Sequence, residues 1–392
     1  MKNYNSDNFT VEGIHFETGR PVRIEISGGT IVKTDEIKRL KNKDITLFVS
    51  PGLIDNQING YAGVDFSGNT LKVDDVIRAA QAIWRDGVTS FFPTLITNSH
   101  ENLTRNLKIL SEAVRTDEKL EDSIPGFHLE GPYISPDEGY RGCHPSRYIR
   151  KPKWEEFLCY QEAADGKIIQ ITLAPEIEGS MEFIKLCSKN GIIVALGHTN
   201  ASSELILQAV ENGARLSTHL GNGCANFIHR NKNPIWQQLA TDLLTPTIIV
   251  DGLHLLSEEV QVFYKVKGPE NIILTSDVVH VIGMNPGKYV FLGSEVILTE
   301  EGMLYNPDLK CLAGASFPLK TGVENIMNFT GCSLTNAINM ASRNVAGIFG
   351  LSGRCCLTEG ARADIILFTR EGNKINIHQS FLKGRQIFSE DY

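Results

Sequence analysis

"IIVALGHTNASSELILQAVENGARLSTHLGN", residues 192–222, holds one complete unit of the fold. An apolar run over 192–198 reaches His198 and breaks into a polar turn. "SSELILQAVENGA" then sets its apolar residues at helical spacing and stops at a glycine. A second apolar run, 215–220, again meets a histidine, His219. Strand, helix and strand in this order make a βαβ unit with parallel strands.

The same alternation runs outward in both directions. Strand-like runs occur at 53–59, 90–96, 125–130, 168–174, 192–198, 215–220, 247–252 and 271–277. Helical patterns lie between most of them, "LKVDDVIRAAQAIWRDG" being another that ends at glycine. Eight such strands predict an α/β chain, a TIM-like (β/α)8 barrel. A doubly wound open sheet is the alternative, but no Gly-x-Gly-x-x-Gly follows a strand. The first 50 residues and the tail read differently, as short strands with turns at Gly28-Gly29 and Glu371-Gly372. Both ends therefore belong to one small β-sandwich domain (1–50 and 357–392), and the barrel (51–356) is inserted between them.

In a barrel of this kind catalytic groups come from the C-terminal strand ends. Those ends read Gln57-Ile58-Asn59, then Thr94 and Thr97, His128 with Glu130, Glu176, His198, His219 with Asn222, Asp251 with His254, and Asp277. A lone histidine in such a place is commonly structural. Glu130, His198, His219 and Asp277 converging on one mouth carry more weight. Two imidazoles and a carboxylate leave an open position on a divalent metal, the composition of catalytic zinc or iron sites. Such a metal lowers the pKa of a bound water from about 16 to about 7. At about 1.36 kcal/mol per unit this is about 12 kcal/mol of help in forming hydroxide. A carboxylate beside that water, Asp277, takes its proton and later delivers it to a leaving group.

Composition narrows the partners. The chain has 392 residues, 42% hydrophobic, and a net charge of −8 without a basic run, which argues against nucleic acid and anionic membranes. No apolar run approaches the ~20 residues of a membrane span, and the N-terminal "MKNYNSDNFT" has no apolar signal region. The eight scattered cysteines have no CxxC spacing, which fits free thiols in the cytoplasm.

The ordered set "PGLIDNQINGYAG", "GFHLEGPYIS", "RGCHP", "ALGHTNAS", "STHLGN", "DGLHL", "LTSD" and "LAGAS" resembles the N-acetylglucosamine-6-phosphate deacetylases of the amidohydrolase superfamily. The resemblance implies the barrel with its small β domain and hydrolysis of the N-acetyl group. It implies a metal on Glu130, His198 and His219, with Asp277 as catalytic acid/base. Cys143, His144, Asn222, Gly223, Asp251, Gly252, Leu253, His254, Leu312, Ala313, Gly314 and Ala315 would contact the amino sugar, with His254 polarising the acetyl carbonyl. The family's phosphate-binding arginine, often supplied by the partner of a homodimer, has its nearest match in Arg230; a solvated basic turn is the other reading of that stretch. Some members carry His-x-His after the first strand and two metals, others Gln-x-Asn and one. Gln57 and Asn59 are similar to the second kind, and imply one divalent ion, Zn²⁺ or else Fe²⁺ or another, with the amides supporting its water. Two rival readings remain: an amidohydrolase acting on another N-acyl sugar or a cyclic amide, and a non-catalytic scaffold, which would have lost the ligand set that this chain keeps.

Overall fold

A computed structural model describes residues 8–41 and 45–390. The polar residues 1–7 and Asp44, which opens "DITLFVSPG", lie outside the described residues.

The barrel expected from the alternation is present. Its strands are Leu53–Ile58, Val88–Ile96, Phe127–Glu130, Ile168–Leu173, Ile193–Leu196, Ala214–Ser217, Thr245–Ile248 and Ile273–Leu274, hydrogen-bonded in that order and parallel. A parallel bridge between Ile58 and Val278 joins the last to the first, helped by the Asn59 N–H donating to the Val278 carbonyl (2.9 Å). Strands covered by helices outside and packed inside are apolar on both faces, which is why they read as continuous runs. Leu53–Ile58 and Val88–Ile96 are buried at every residue. Several strands stop short of their apolar runs. Ile193–Leu196 ends before His198, and Ile273–Leu274 before Asp277, because those residues leave the extended conformation.

Helix Val73–Arg85 buries Val76, Ala79, Ala80, Ile83 and Trp84 against the barrel. Ser203–Glu211 starts where the Ser202 side chain accepts the Leu205 N–H, and buries Ile206, Ala209 and Val210. Its exit needs a glycine: Gly213 has φ +115°, and a Cβ there would lie 2.3 Å from Ser188 Oγ. Helix Arg343–Phe349 stoppers the N-terminal mouth, packing Val345 and Ala346 on Ile54, Ala195, Leu216 and Ile273. The C-terminal mouth is left as the open end.

Both chain ends enter one seven-stranded sheet. Ile365–Glu371 pairs with Phe48–Pro51, which pairs on its other side with Asn8–His15. The sheet folds over itself, so that Phe9 stacks on Phe381 three strands away (5.4 Å). The hairpin at Gly28-Gly29 is present; the second turn falls at Gly372-Asn373, because Glu371 still pairs with Lys374. Exposed Lys383 and half-buried Arg385 tie this sheet to Asp122 of helix Glu118–Ser123 (3.0 and 3.2 Å). One element was not anticipated. After the eighth strand the chain forms a four-stranded sheet, Gly287–Phe291, Ser294–Leu298, Leu304–Asn306 and Cys311–Leu312. Its signal was the two-residue turn Leu292-Gly293, left-handed at both positions (φ 53° and 80°). Among the described residues no helix is long and apolar enough to cross a membrane.

Candidate active site

Glu130 is the last residue of the third strand. His198 and His219 each sit two residues past their strands, and Asp277 three past the eighth. All three of the latter have left-handed backbones, with φ of 50°, 31° and 51°. For a residue with a Cβ this conformation costs about 1–3 kcal/mol and persists only where the surroundings impose it. Here it turns each side chain inward over the barrel mouth. The surroundings are identifiable: the Ser135 N–H donates to the His198 carbonyl (2.9 Å), the His219 N–H to Thr247 Oγ1 (2.8 Å), and the Asp277 N–H to the Gln57 carbonyl (3.1 Å).

The result is a tight cluster. His219 Nε2 lies 3.0 Å and His198 Nε2 3.3 Å from Glu130 Oε1, and the two nitrogens are 3.2 Å apart. His198 Nδ1 donates to the Tyr140 carbonyl (2.9 Å), which aims its Nε2 at the other two. Burial pushes Glu130 up, but hydrogen bonds and charge from His198 and His219 outweigh it and hold the carboxyl well below its usual range. Burial pulls His219 down, and Glu130 more than reverses this. Electron-pair donors converging in a buried place, with an outer carbonyl orienting one imidazole, have the chemistry of a metal-ligand set. His144 adds a fourth candidate: one of its ring nitrogens lies within 4.8 Å of donor atoms of Glu130 and His198. It is held by Thr97 Oγ1 (2.8 Å) and kept neutral, at a pKa of about 3, by burial and the neighbouring His198.

Gln57 and Asn59 both meet Asp277. Gln57 Nε2–H donates to Asp277 Oδ1 at 2.8 Å and Asn59 Nδ2–H to the same oxygen at 2.7 Å. Oδ2 has no donor among the described residues. Burial, then the charge of Glu130, pushes Asp277 up to about 6; a cation on the neighbouring ligand set acts in the opposite direction. The amide oxygens Gln57 Oε1 and Asn59 Oδ1 are buried and have no partner among the described residues.

A cavity of about 410 Å³ opens over this cluster. Of the residues singled out from sequence, Asn59, Glu130, Cys143, His144, His198, His219, Asn222, Gly223, His254, Asp277, Leu312 and Gly314 border it. Gln57, Arg230, Asp251, Gly252, Leu253, Ala313 and Ala315 stand outside that lining. Asp251 works behind His254: Oδ2 accepts from His254 Nδ1 (2.7 Å), and Oδ1 accepts the backbone N–H of Leu253 and His254. This turns His254 Nε2 to the cavity. Arg230 is exposed. Burial, with the Cys311 sulfur nearby, pushes the Cys143 thiol up, so it is no thiolate nucleophile. Sequence reasoning missed Ile96, Val279, Phe291 and Glu259, which also line the cavity.

Glu176, at the end of the fourth strand, stays outside the cavity but clamps the loop that carries His198. Thr199 Oγ1–H donates to its Oε2 (2.5 Å) and the Asn200 N–H to its Oε1 (2.6 Å). Glu176→Ala is expected to weaken metal binding and lower kcat by about 10–100-fold, as loss of an outer orienting group does. Glu176→Gln, which keeps one acceptor, should recover part of this. Metal titration and steady-state kinetics check it; full activity in the alanine variant would show the clamp to be idle.

Residues 48–387 match the amidohydrolase family model. The N-acetylglucosamine-6-phosphate deacetylase of Bacillus subtilis is 32% identical over 359 residues, covering 89% of each chain. The human protein of that name is 31% identical, over 88% of this chain and 84% of its own. Among solved structures, the Thermotoga maritima deacetylase superposes with a TM-score of 0.86 at 28% identity, covering 97% of this chain and all of its own. That of Mycobacterium smegmatis gives 0.87 at 26%, with the same coverage. A barrel with a small sheet from both ends, a Glu-His-His cluster at its mouth and similarity sustained along the chain agree: this protein belongs to the amidohydrolase family, among the N-acetylglucosamine-6-phosphate deacetylases.

Proposed function

We propose that the chain hydrolyses N-acetylglucosamine 6-phosphate to glucosamine 6-phosphate and acetate. The carrying observation is the set Glu130, His198 and His219, with atoms 3.0–3.3 Å apart, beside Asp277 in one cavity. In this reading the three hold one divalent ion, zinc, with Fe²⁺ as the alternative. When bound, it supplies the Lewis acidity that makes water nucleophilic near neutral pH. A second ion is not expected, because the positions that would ligate it carry the neutral amides Gln57 and Asn59, weak ligands for a divalent ion beside histidine and carboxylate.

The chain's own groups do the rest. Asp277 Oδ2 takes a proton from the attacking water as the O–C bond forms. It returns the proton to the departing nitrogen as the C–N bond breaks. His254, with Nδ1–H donating to Asp251 and Nε2 also protonated in the imidazolium form, donates from Nε2 to the acetyl oxygen as charge develops there. Gln57 and Asn59 keep Asp277 Oδ1 occupied, so that Oδ2 is the oxygen that exchanges the proton; their free amide oxygens support the water. Asn222, Gly223 and His144 bind the sugar.

Among the described residues no lysine or arginine borders the cavity, the one observation that favours an unphosphorylated N-acyl sugar. Arg230 answers it if two copies pair and each lends its loop to the other's cavity. Phe227, 97% exposed between Asn226 and Ile228 of the cavity lining, supports such a homodimer. A cytoplasmic setting agrees with eight free cysteines. Arg230→Ala is expected to raise KM chiefly for the phosphorylated sugar, by about 1.5–3 kcal/mol, roughly 10–100-fold. If the wild type handles phosphorylated and plain N-acetylglucosamine equally, the anion role fails. The main reading is tested by acetate release together with elemental analysis. It expects one metal per chain and equimolar acetate and amine. Metal-loaded protein that releases no acetate would overturn it, and two tightly bound equivalents would overturn the single-ion site.

A further inference from the structure

The cavity has two unlike walls. On the side of the sixth and seventh strands its polar groups gather, Asn222, Asn226, His254 and Glu259, alongside Ile228 and Ile235. Beside Asp277 it is apolar, and that corner comes from three separate segments. Ile96 ends the second strand, Val279 follows Asp277 by two residues, and Phe291 ends the first strand of the four-stranded sheet. They are 3%, 1% and 3% exposed and share one packed cluster with Val296, Leu298 and Leu304 behind them. We infer that this corner receives the alkyl part of the acyl group and limits the enzyme to short acyl chains. The inference rests on the deacetylase reading and names the specificity residues of that same site.

The geometry of the reaction leaves little choice. The alkyl group is bonded directly to the carbon under attack, about 1.5 Å away. Asp277 must reach both the attacking water and the leaving nitrogen on that carbon, so the alkyl group lies within a few ångströms of Asp277. The sugar's hydroxyls would lose their hydrogen bonds against Ile96, Val279 and Phe291, and belong on the polar wall. The acyl methyl is the substrate's one wholly apolar group.

The corner is also rigid. The Ala315 N–H donates to the Asp277 carbonyl (3.1 Å) and the Val279 N–H to the Ala315 carbonyl (3.0 Å), so Asp277 and Val279 are fixed by one pairing. Gly314 lets Val279 pack down, since a Cβ there would lie 2.5 Å from Val279 Cγ1. A close-packed wall has no slack for added methylenes.

The test compares kcat/KM of the metal-loaded enzyme for N-acetyl, N-propionyl and N-butyryl glucosamine 6-phosphate. The wild type should lose about 10-fold or more per added methylene, within the range a single methylene commands in a shaped pocket. Ile96→Val and Val279→Ala should each narrow the acetyl-to-propionyl ratio by about 3–10-fold, Phe291→Leu should do so for butyryl, and Val279→Ile should widen it. Ile96→Val and Val279→Ile change a single methylene, so folding should be retained. Wild type that accepts butyryl as readily as acetyl, or variants with wild-type metal content and melting temperature but unaltered ratios, would overturn the pocket while leaving the deacetylase reading intact. A wild type that releases no acetate fails the deacetylase reading itself, and this inference with it.

Discussion

Asp277→Asn is expected to lower kcat by about 10²–10⁴ while the protein keeps its metal. That range is what a positioned general acid–base contributes. The variant is unusually clean here because Gln57 and Asn59 donate to Oδ1, and an asparagine can offer them the same oxygen. Only the atom at Oδ2 changes, from a proton acceptor to an N–H₂. Glu130, His198 and His219 keep their mutual geometry, so elemental analysis should return the wild-type metal content. Asn59→Ala serves as a partner experiment: it removes one of the two donors and should reduce kcat less than Asp277→Asn does. An Asp277→Asn enzyme with most of its kcat would refute the proton-transfer role.

Glu130→Gln should lose metal and activity together. The carboxylate is 2% exposed, and its Oε1 is the point on which both histidines converge. Exchange for an amide removes the negative charge that offsets a dication and leaves a weaker ligand. The loss of affinity should exceed the roughly 10–100-fold that follows from removing an outer-shell partner. Equilibrium dialysis measures it directly, without reference to catalysis. Added metal in large excess should restore part of the activity to Glu130→Gln and none to Asp277→Asn. If Glu130→Gln binds metal as the wild type does, His144 would have to be counted among the ligands in its place, since its ring lies within reach of the same cluster.

Much of the fold was legible because barrel strands and helices carry local patterns. Parallel strands covered on both faces must be apolar throughout, and helices covering them must repeat near every 3.6 residues, so 192–222 shows its structure in one window. Glu130, His198, His219 and Asp277 were legible for the related reason that each follows directly on such a run. The four-stranded sheet over 287–312 was harder to see. Its hairpin is short, and its inner face becomes apolar core only when Phe291, Val296 and Leu298 meet Ile96 and Val279 from elsewhere in the chain.

The sequence by itself determined the barrel, the domain built from both ends, and which residue types arrive at the catalytic mouth. Tertiary structure alone decided what those residues do to one another. Gln57 and Asn59 stand 220 and 218 positions from Asp277, and they reach it only because the first and last strands close the barrel. His198, His219 and Asp277 point inward only because neighbours hold each in a left-handed conformation that a residue with a Cβ adopts at a cost. Asp251 became the support of His254, and Arg230 remained outside the cavity of its own chain, for the same reason. Periodicity records which face of an element is buried, whereas the direction of a side chain at a turned strand end is set by contacts between segments far apart in the chain.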